Sequence, residues 1–299
     1  MAIDIPTGLD GNTGIAYIST FNADYTYTMY AEKTGLLLND GKDYSGKVEV
    51  LDLGIPKSII NTYSKIYKYD KIKFLKRKNN TSKFNYGKSL VVAGSESMSG
   101  AASLTCNAAI SAGAGLVYLI TTEKHNCLYS EIITTKVSEY SSTILNNKEI
   151  QILIEKSDSI VIGPGLGKSI EINEMINSLI EKYPNKKYII DADGISALDN
   201  NKLYNQNITI TPHNGEFANL IGKKRLEIID NLVDLVKDTA KKMKVNILLK
   251  GATSIISDGE EVILISDGGP ELATAGSGDV LSGILGAQIN HNLSQENVY

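Results

Sequence analysis

The chain has 299 residues, 42% hydrophobic and 21% charged, with a formal net charge of −4 and no Trp. That length supports one or two domains with a buried core. That charge leaves no electrostatic footprint for nucleic acid or anionic lipid. Two cysteines, Cys106 and Cys127, make no disulfide framework, and His125, His213 and His291 are too scattered for a His-based metal site. No apolar run reaches the length of a membrane span, and no signal segment opens the chain. The expected compartment is the reducing cytoplasm.

In chain order, "MAIDIPTGLDG" runs from strand-like residues straight into a turn, and "NHNLSQENVY" stops without a finishing element. Both ends read as cut, so a fragment is expected. Residues 1–56 read as the tail of one α/β unit. "ADYTYTMY" alternates β formers and predicts a strand, and "KVEVLDLGIP" predicts a second, closed by Gly54 and Pro56. Residues 57–86, rich in Lys, Asn, Tyr and Ser, read as a linker, and the basic run at 65–80 as a solvated local patch. From residue 87 short apolar runs recur, each ending in Gly or Asp: "SLVVAGS", "LVYLITT", "SIVIGPGLG", "YIIDADG", "ITITPHNG" and "VNILLKG". Apolar strands without alternation imply burial on both faces, as in a parallel sheet. Between them, "AASLTCNAAISAGAG" predicts a small-residue helix. "RLEIIDNLVDLVKDTAKKMK" predicts a helix with one apolar stripe through Leu226, Ile229, Val233, Val236 and Ala240. "TSIISDGEEVILIS" predicts a hairpin around Asp258-Gly259. The alternation argues for a three-layer α/β domain over residues 87–299 with a mainly parallel sheet.

The loops at the strand ends carry the chemistry, because ligands of open α/β sheets bind there. "GPGLG" lets a ligand approach the backbone, although taken alone it is a tight turn. "TPHNGE" places His213 at a strand end, where structural and functional readings both stay open. "LLKGATS" places Lys250 at another, a weak signal by itself. The strongest stretch is "TAGSGDVLSGIL". Unpaired amides at a helix start, reached past small residues, form an anion hole. A carboxylate beside a phosphate is repulsive, so Asp279 reads as a base that takes a proton from an acceptor hydroxyl rather than as a helix cap. Val280, Leu281, Ile284 and Leu285 predict the apolar face of that helix. No "GxxxxGK[ST]" and no helix-opening "GxGxxG" occurs.

Taken in order, "GPGLG", "DADG", "TPHNGE", "LLKGATS" and "GSGDVLSGIL" resemble the ADP/ATP-dependent NAD(P)H-hydrate dehydratase family of ribokinase-like phosphotransferases. "DIPTGLDGNTG", "ADYTYTMYAEKTGLL" and "GKVEVLDLGIP" resemble the last part of an NAD(P)H-hydrate epimerase domain, an incomplete Rossmann-like α/β fragment. The resemblance implies a lyase that repairs hydrated NADH or NADPH, with ADP or ATP as phosphoryl donor and Mg²⁺. It implies Asp279 as base and the amides of Ala275, Gly276, Ser277 and Gly278 around the phosphoryl group. Lys250, Gly251, Ala252, Thr253, Ser254, Gly269, Thr274 and the following run to Gly278 would line the nucleotide. Ala101, Gly165, Gly167, His213 and Glu216 would meet the hydrated dinucleotide. In the epimerase part it implies Asp4 as a substrate contact and Thr7, in place of a usual Ser, beside a potassium ion. Isomerase activity is expected only with the rest of that domain. "TPHNGE" departs from the family in having Asn214 where a second Pro is common. A vitamin-precursor kinase of the same fold and a nucleotide-binding module without turnover are the alternatives. The expected partners are the hydrated dinucleotide and a second copy of the chain in a homo-oligomer, with no nucleic acid and no membrane.

Overall fold

The computed structural model describes residues 1–56, 58–59, 64–69 and 77–290. The tail with His291 and parts of the 57–86 stretch, including much of its basic run, lie outside the described residues.

Apolar β-branched runs build the larger of two sheets. Its strands are β4 (Ile66–Lys68), β5 (Lys88–Val92), β6 (Leu116–Thr121), β7 (Ile133–Lys136), β8 (Ser159–Ile162), β9 (Lys187–Ile190), β10 (Ile208–Ile210), β11 (Asn246–Leu249), β12 (Ser254–Ser257) and β13 (Val262–Ile265). They lie in the order β4-β13-β12-β11-β10-β9-β8-β5-β6-β7. Every pairing is parallel except the two made by β12, so β12 and β13 form the expected hairpin. Strands β5, β8, β9, β10, β11 and β13 therefore point the same way, and the loops that follow them share one rim. The order reverses between β5 and β8, a switch point that opens a crevice at that rim.

Alternate strand residues supply two cores, because successive side chains leave opposite faces. Leu90, Val92, Ile160, Ile162, Tyr188 and Ile190 pack under α3 (Lys148–Lys156), α4 (Ile170–Lys182) and α7 (Leu232–Met243). Val91, Ala93, Val161 and Ile189 pack under α2 (Ser99–Ser111) and α8 (Ser277–Gln288), with Ala102, Cys106, Ala109 and Ala287. This is the expected three-layer arrangement. Burial pushes the Cys106 thiol well above its ordinary value. Among the described residues no helix is long and apolar enough to cross a membrane.

Three expectations need correction. The fully buried face of α8 is Ser282, Gly283, Gly286 and Ala287; of the predicted apolar face, Leu285 packs against the same core, Val280 and Leu281 are half-buried and Ile284 is exposed. A Cβ on Gly283 would run into the Thr105 carbonyl, and one on Gly286 into the Val161 side chain. The helix approaches α2 and β8 so closely that only small residues fit. The long helix after residue 225 breaks into α6 (Arg225–Ile228), a 3₁₀ turn at Ile229–Asn231, and α7. Its buried face is Ile228, Leu232, Val236, Ala240 and Met243, and Leu226 is 80% exposed. The supposed linker contributes β4, which pairs Ile66 with Val262 and covers the backbone edge of β13.

The smaller sheet is β1 (Ala2–Ile3), β2 (Tyr25–Met29) and β3 (Lys47–Leu51), all parallel. Thr26 and Thr28 are buried on one face, and Thr26 Oγ1 donates to the Ser45 carbonyl at 2.7 Å. Ile3, Tyr25, Met29, Val50 and Leu51 are exposed. Leu37 and Leu38, between β2 and β3, join the core of the larger sheet.

Candidate active site

The start of α8 lies on the shared rim. Gly276 takes φ 85 as its N-cap, a left-handed conformation suited to glycine, and no side chain caps the helix. The amides of the first turn lack intrahelical acceptors and face a favourable dipole end. Asp279 sits in that turn, half-buried. Its carboxyl is pushed above the usual Asp range by burial first and by the charge of Asp191 second, while Lys250 pulls it back.

Asp191, at the end of β9, is 1% exposed. Its Oδ1 accepts from Lys250 Nζ at 2.8 Å and its Oδ2 from Ser282 Oγ at 2.5 Å. Three elements, β9, β11 and α8, are thereby tied at one carboxylate. Ala192 follows at φ 48, a left-handed conformation that costs roughly 1–2 kcal/mol for a residue with a Cβ. Such strain persists where the surroundings fix it, here between Asp191 and the turn that closes with Gly194 N–H donating to the Asp191 carbonyl. Neither Asp191 nor Ser282 carries a role in the sequence reading. The signal for Asp191 was a carboxylate ending the apolar run "YII"; Ser282 looked like an ordinary helix residue.

At the switch point the glycine-rich loop after β8 meets α2. Gly94 N–H donates to the Pro164 carbonyl at 2.9 Å. Gly165 has φ 63, and a Cβ there would lie 2.9 Å from the Ala101 methyl and 2.8 Å from the Met98 carbonyl. Ala101 and Gly165 are therefore neighbours. Gly167 N–H donates to Asp193 Oδ2 at 2.9 Å, which fixes the loop to the turn after β9.

His213 and Lys250 are bridged side by side, with Lys250 N–H donating to the Pro212 carbonyl at 2.8 Å. His213 also caps α5 (Asn214–Leu220): its Nδ1 accepts from the amides of Gly215 at 2.9 Å and Glu216 at 3.2 Å. Glu216 returns the cap by accepting the His213 amide at 2.8 Å. Nδ1 is thus an acceptor, and Nε2 of the exposed ring lies 3.6 Å from Glu216 Oε1. The turn is held without a second Pro, by this reciprocal cap.

Gly251 and Ala252 are exposed in the loop between β11 and β12, and Ser254 opens β12. Thr253 is buried, and its hydroxyl donates to the Leu37 carbonyl at 2.6 Å, so its side chain turns away from the rim. Gly269, Thr274 and Ala275 lie on the long connection from β13 to α8, where Thr274 and Ala275 are exposed. Asp4 and Thr7 belong to the smaller sheet and its following turn. Asp4 Oδ1 accepts from Lys33 Nζ at 2.5 Å and from the Met29 amide at 3.0 Å, contacts that hold its carboxyl below the usual range. Thr7 is exposed, and its carbonyl accepts the Phe21 amide at 2.8 Å. Among the described residues no group of three His, Cys, Asp or Glu side chains is placed to hold a metal ion.

Comparison with known proteins follows the same geography. The NAD(P)H-hydrate dehydratase family model matches residues 89–298. The chain is 31% identical over 303 residues to a bifunctional NAD(P)H-hydrate repair enzyme of Moorella thermoacetica, an alignment covering 95% of this chain and 57% of that protein. It is 32% identical over 301 residues to the enzyme of the same name from Escherichia coli K12, covering 98% and 57%. The chain thus spans less than two thirds of the length of these relatives. Among solved structures, a ribokinase-like superfamily protein of Enterococcus faecalis superposes with a TM-score of 0.66 at 24% identity, over 76% of this chain and 81% of that one. An ADP/ATP-dependent NAD(P)H-hydrate dehydratase of Bacillus subtilis, co-crystallised with ATP and Mg²⁺, gives 0.61 at 23% identity, over 73% and 77%. Both likenesses establish a ribokinase-like fold. With that fold and a match running from β5 through α8, the chain belongs to the NAD(P)H-hydrate dehydratase family.

Proposed function

We propose that this chain restores hydrated NADH or NADPH by phosphorylating the ring hydroxyl from ADP or ATP and then expelling phosphate. One observation carries this reading. Asp279 sits half-buried at the uncapped start of α8 with its carboxyl raised, while Lys250, the cation that acts on it, is already paired with Asp191. Asp279 takes the hydroxyl proton as the substrate oxygen attacks the terminal phosphoryl group. The amides of the first turn receive the phosphoryl oxygens, a preorganised site for developing charge. The new C–O–P ester then breaks at carbon, a ring proton is lost, and the dihydropyridine double bond returns with orthophosphate. Ala101, Gly165 and His213 would orient the dinucleotide, and the loops at 250–254 and 269–278 the donor. Mg²⁺ fits as a companion of the donor's phosphates rather than as an ion caged by protein ligands, since no such cage exists among the described residues. Bound there, it would neutralise phosphate charge.

Residues 1–56 we assign to the C-terminal part of an epimerase domain. The alignments to the bifunctional relatives take in at least 95% of the chain, well beyond the span of the dehydratase model. Exposed apolar residues on a parallel sheet, Ile3, Tyr25, Met29 and Leu51 among them, support the same assignment, because such a sheet is ordinarily covered on both faces.

The test is incubation with hydrated NADH plus ADP or ATP. Return of NADH absorbance with stoichiometric orthophosphate is expected. A phosphoester product with no NADH would make the chain a small-molecule kinase instead, and nucleotide binding with no product would make it a binding module.

A further inference from the structure

The loops expected to line the nucleotide are held from outside the dehydratase domain. Lys42 lies in α1 (Gly41–Ser45), the short helix ahead of β3. Its Nζ donates to the carbonyls of Ala252 at 3.2 Å, Ser266 at 2.8 Å and Gly268 at 3.3 Å. Ala252 belongs to the loop after β11, whereas Ser266 and Gly268 belong to the connection from β13 to α8. An ammonium has three protons, and all three are taken. The contacts span more than two hundred residues of sequence, and they take up the two loops just where the ladder between β12 and β13 ends, at the pair Ser254 and Ile265. Beside them Thr253 Oγ1 donates to the Leu37 carbonyl at 2.6 Å, a second tie from the same N-terminal segment.

We propose that Lys42 is a positioning residue for the phosphoryl donor: the N-terminal unit reaches across to pin both nucleotide loops in their binding conformation. This rests on the reading of those loops as the ADP or ATP site. With its protons used on carbonyls, Lys42 orders the loops and does not itself meet phosphate. A loop that must be ordered when the nucleotide arrives binds it more weakly, because the ordering entropy is then charged against affinity. The N-terminal unit thus serves dehydration whatever its own activity.

The test compares the parent chain with Lys42→Met, which keeps the aliphatic stem, with Lys42→Arg, which restores a donor, and with Lys47→Met. Lys47 is an exposed lysine of the same segment, paired on the surface with Glu49 and lying over the Tyr25 ring, away from both loops. Hydrogen exchange on the free proteins reads the pin directly. Lys42→Met should speed exchange at 250–254 and 266–276 and leave β5, β8 and β9 unchanged. Titration with ADP and ATP should show affinity lowered roughly tenfold, the effect of losing one set of charge-assisted contacts. The nucleotide KM should rise similarly, with kcat and the KM for hydrated NADH unchanged. Lys42→Arg should recover most of the loss, and Lys47→Met should show none. Unchanged loop exchange in Lys42→Met overturns the pin. Faster exchange with unchanged nucleotide affinity overturns its role in donor binding. A parent chain that binds neither ADP nor ATP overturns the functional reading, and with it this role, even where the exchange result stands.

Discussion

Asp279 and Asp4 are both aspartates at the mouth of a turn, and the fold treats them in opposite ways. Asp4 faces Lys33 at 2.5 Å, the Met29 amide and the Thr28 hydroxyl, so its charge is fully answered. Asp279 faces Asp191 and a partly dry surrounding, and Lys250, the cation that acts on it, is committed to Asp191. The first carboxyl is pulled below its ordinary value and the second is pushed above it. What separates a reactive carboxylate from a structural one is therefore how its neighbours' charges have already been spent.

The largest effect is expected from Asp279→Asn. The amide keeps the size and can still sit in the first helical turn, but loses basicity. Turnover should fall on the order of 10²- to 10⁴-fold. The dissociation constant for ADP or ATP, measured by calorimetry on the same sample, should be equal to or below that of the parent. Near-full activity, or a melted domain, would make Asp279 a cap.

Asp191→Asn comes next. It removes the like charge beside Asp279 and leaves Lys250 without its partner. Breaking a buried pair from one side costs about 3–5 kcal/mol, and less here because Lys250 is partly exposed. Urea unfolding measures the loss, and an unchanged midpoint would mean that the pair contributes nothing. Gly283→Ala tests the scaffold under the same site. Its methyl would meet the Thr105 carbonyl, so α8 must shift off α2, at about 1–3 kcal/mol. Thermal unfolding at the parent value would contradict that close approach.

The smallest effects have opposite signs. Asp4→Asn removes an ion pair whose side chains are 29% and 39% exposed, worth at most about 1 kcal/mol, and should leave dehydration turnover alone. Because the Asp4 carboxyl is depressed, its contribution is present at neutral pH and lost as pH falls through the folded value. Because the Asp279 carboxyl is raised, its contribution is present while it is protonated and lost as pH rises through the folded value. Asp4→Asn should therefore lower the neutral-pH melting temperature slightly and Asp279→Asn raise it. Both differences should fade on acidification. Melting curves across pH with the reverse signs would undo the contrast.

Much of this was legible in the sequence, for local reasons. The apolar runs ending in Gly or Asp became the parallel strands, and the hairpin at Asp258-Gly259 formed as its turn residues require. Asp279 stood out because a carboxylate among bare glycines at a helix start is chemically odd. The neighbours that tune it did not stand out. Asp191 and Ser282 meet across 91 positions, and nothing local to either marks the other. The strand β7 was missed because three of its four residues are exposed, which leaves no apolar signal. The face of α8 was misread for the converse reason. A contact made by Ser282, Gly283, Gly286 and Ala287 gains from closeness of backbones, which hydrophobic periodicity does not register.

The two carboxyls can be titrated directly. Carbon NMR on aspartate-labelled protein follows each side chain through its own ionisation, with Asp4→Asn and Asp279→Asn assigning the signals. Asp279 should lose its proton above the usual Asp range and Asp4 below it, and Asp191→Asn should bring the Asp279 midpoint down. If Asp279 instead ionises at or below the midpoint of Asp4, burial and Asp191 do not make it basic, and the base of this reaction is another group.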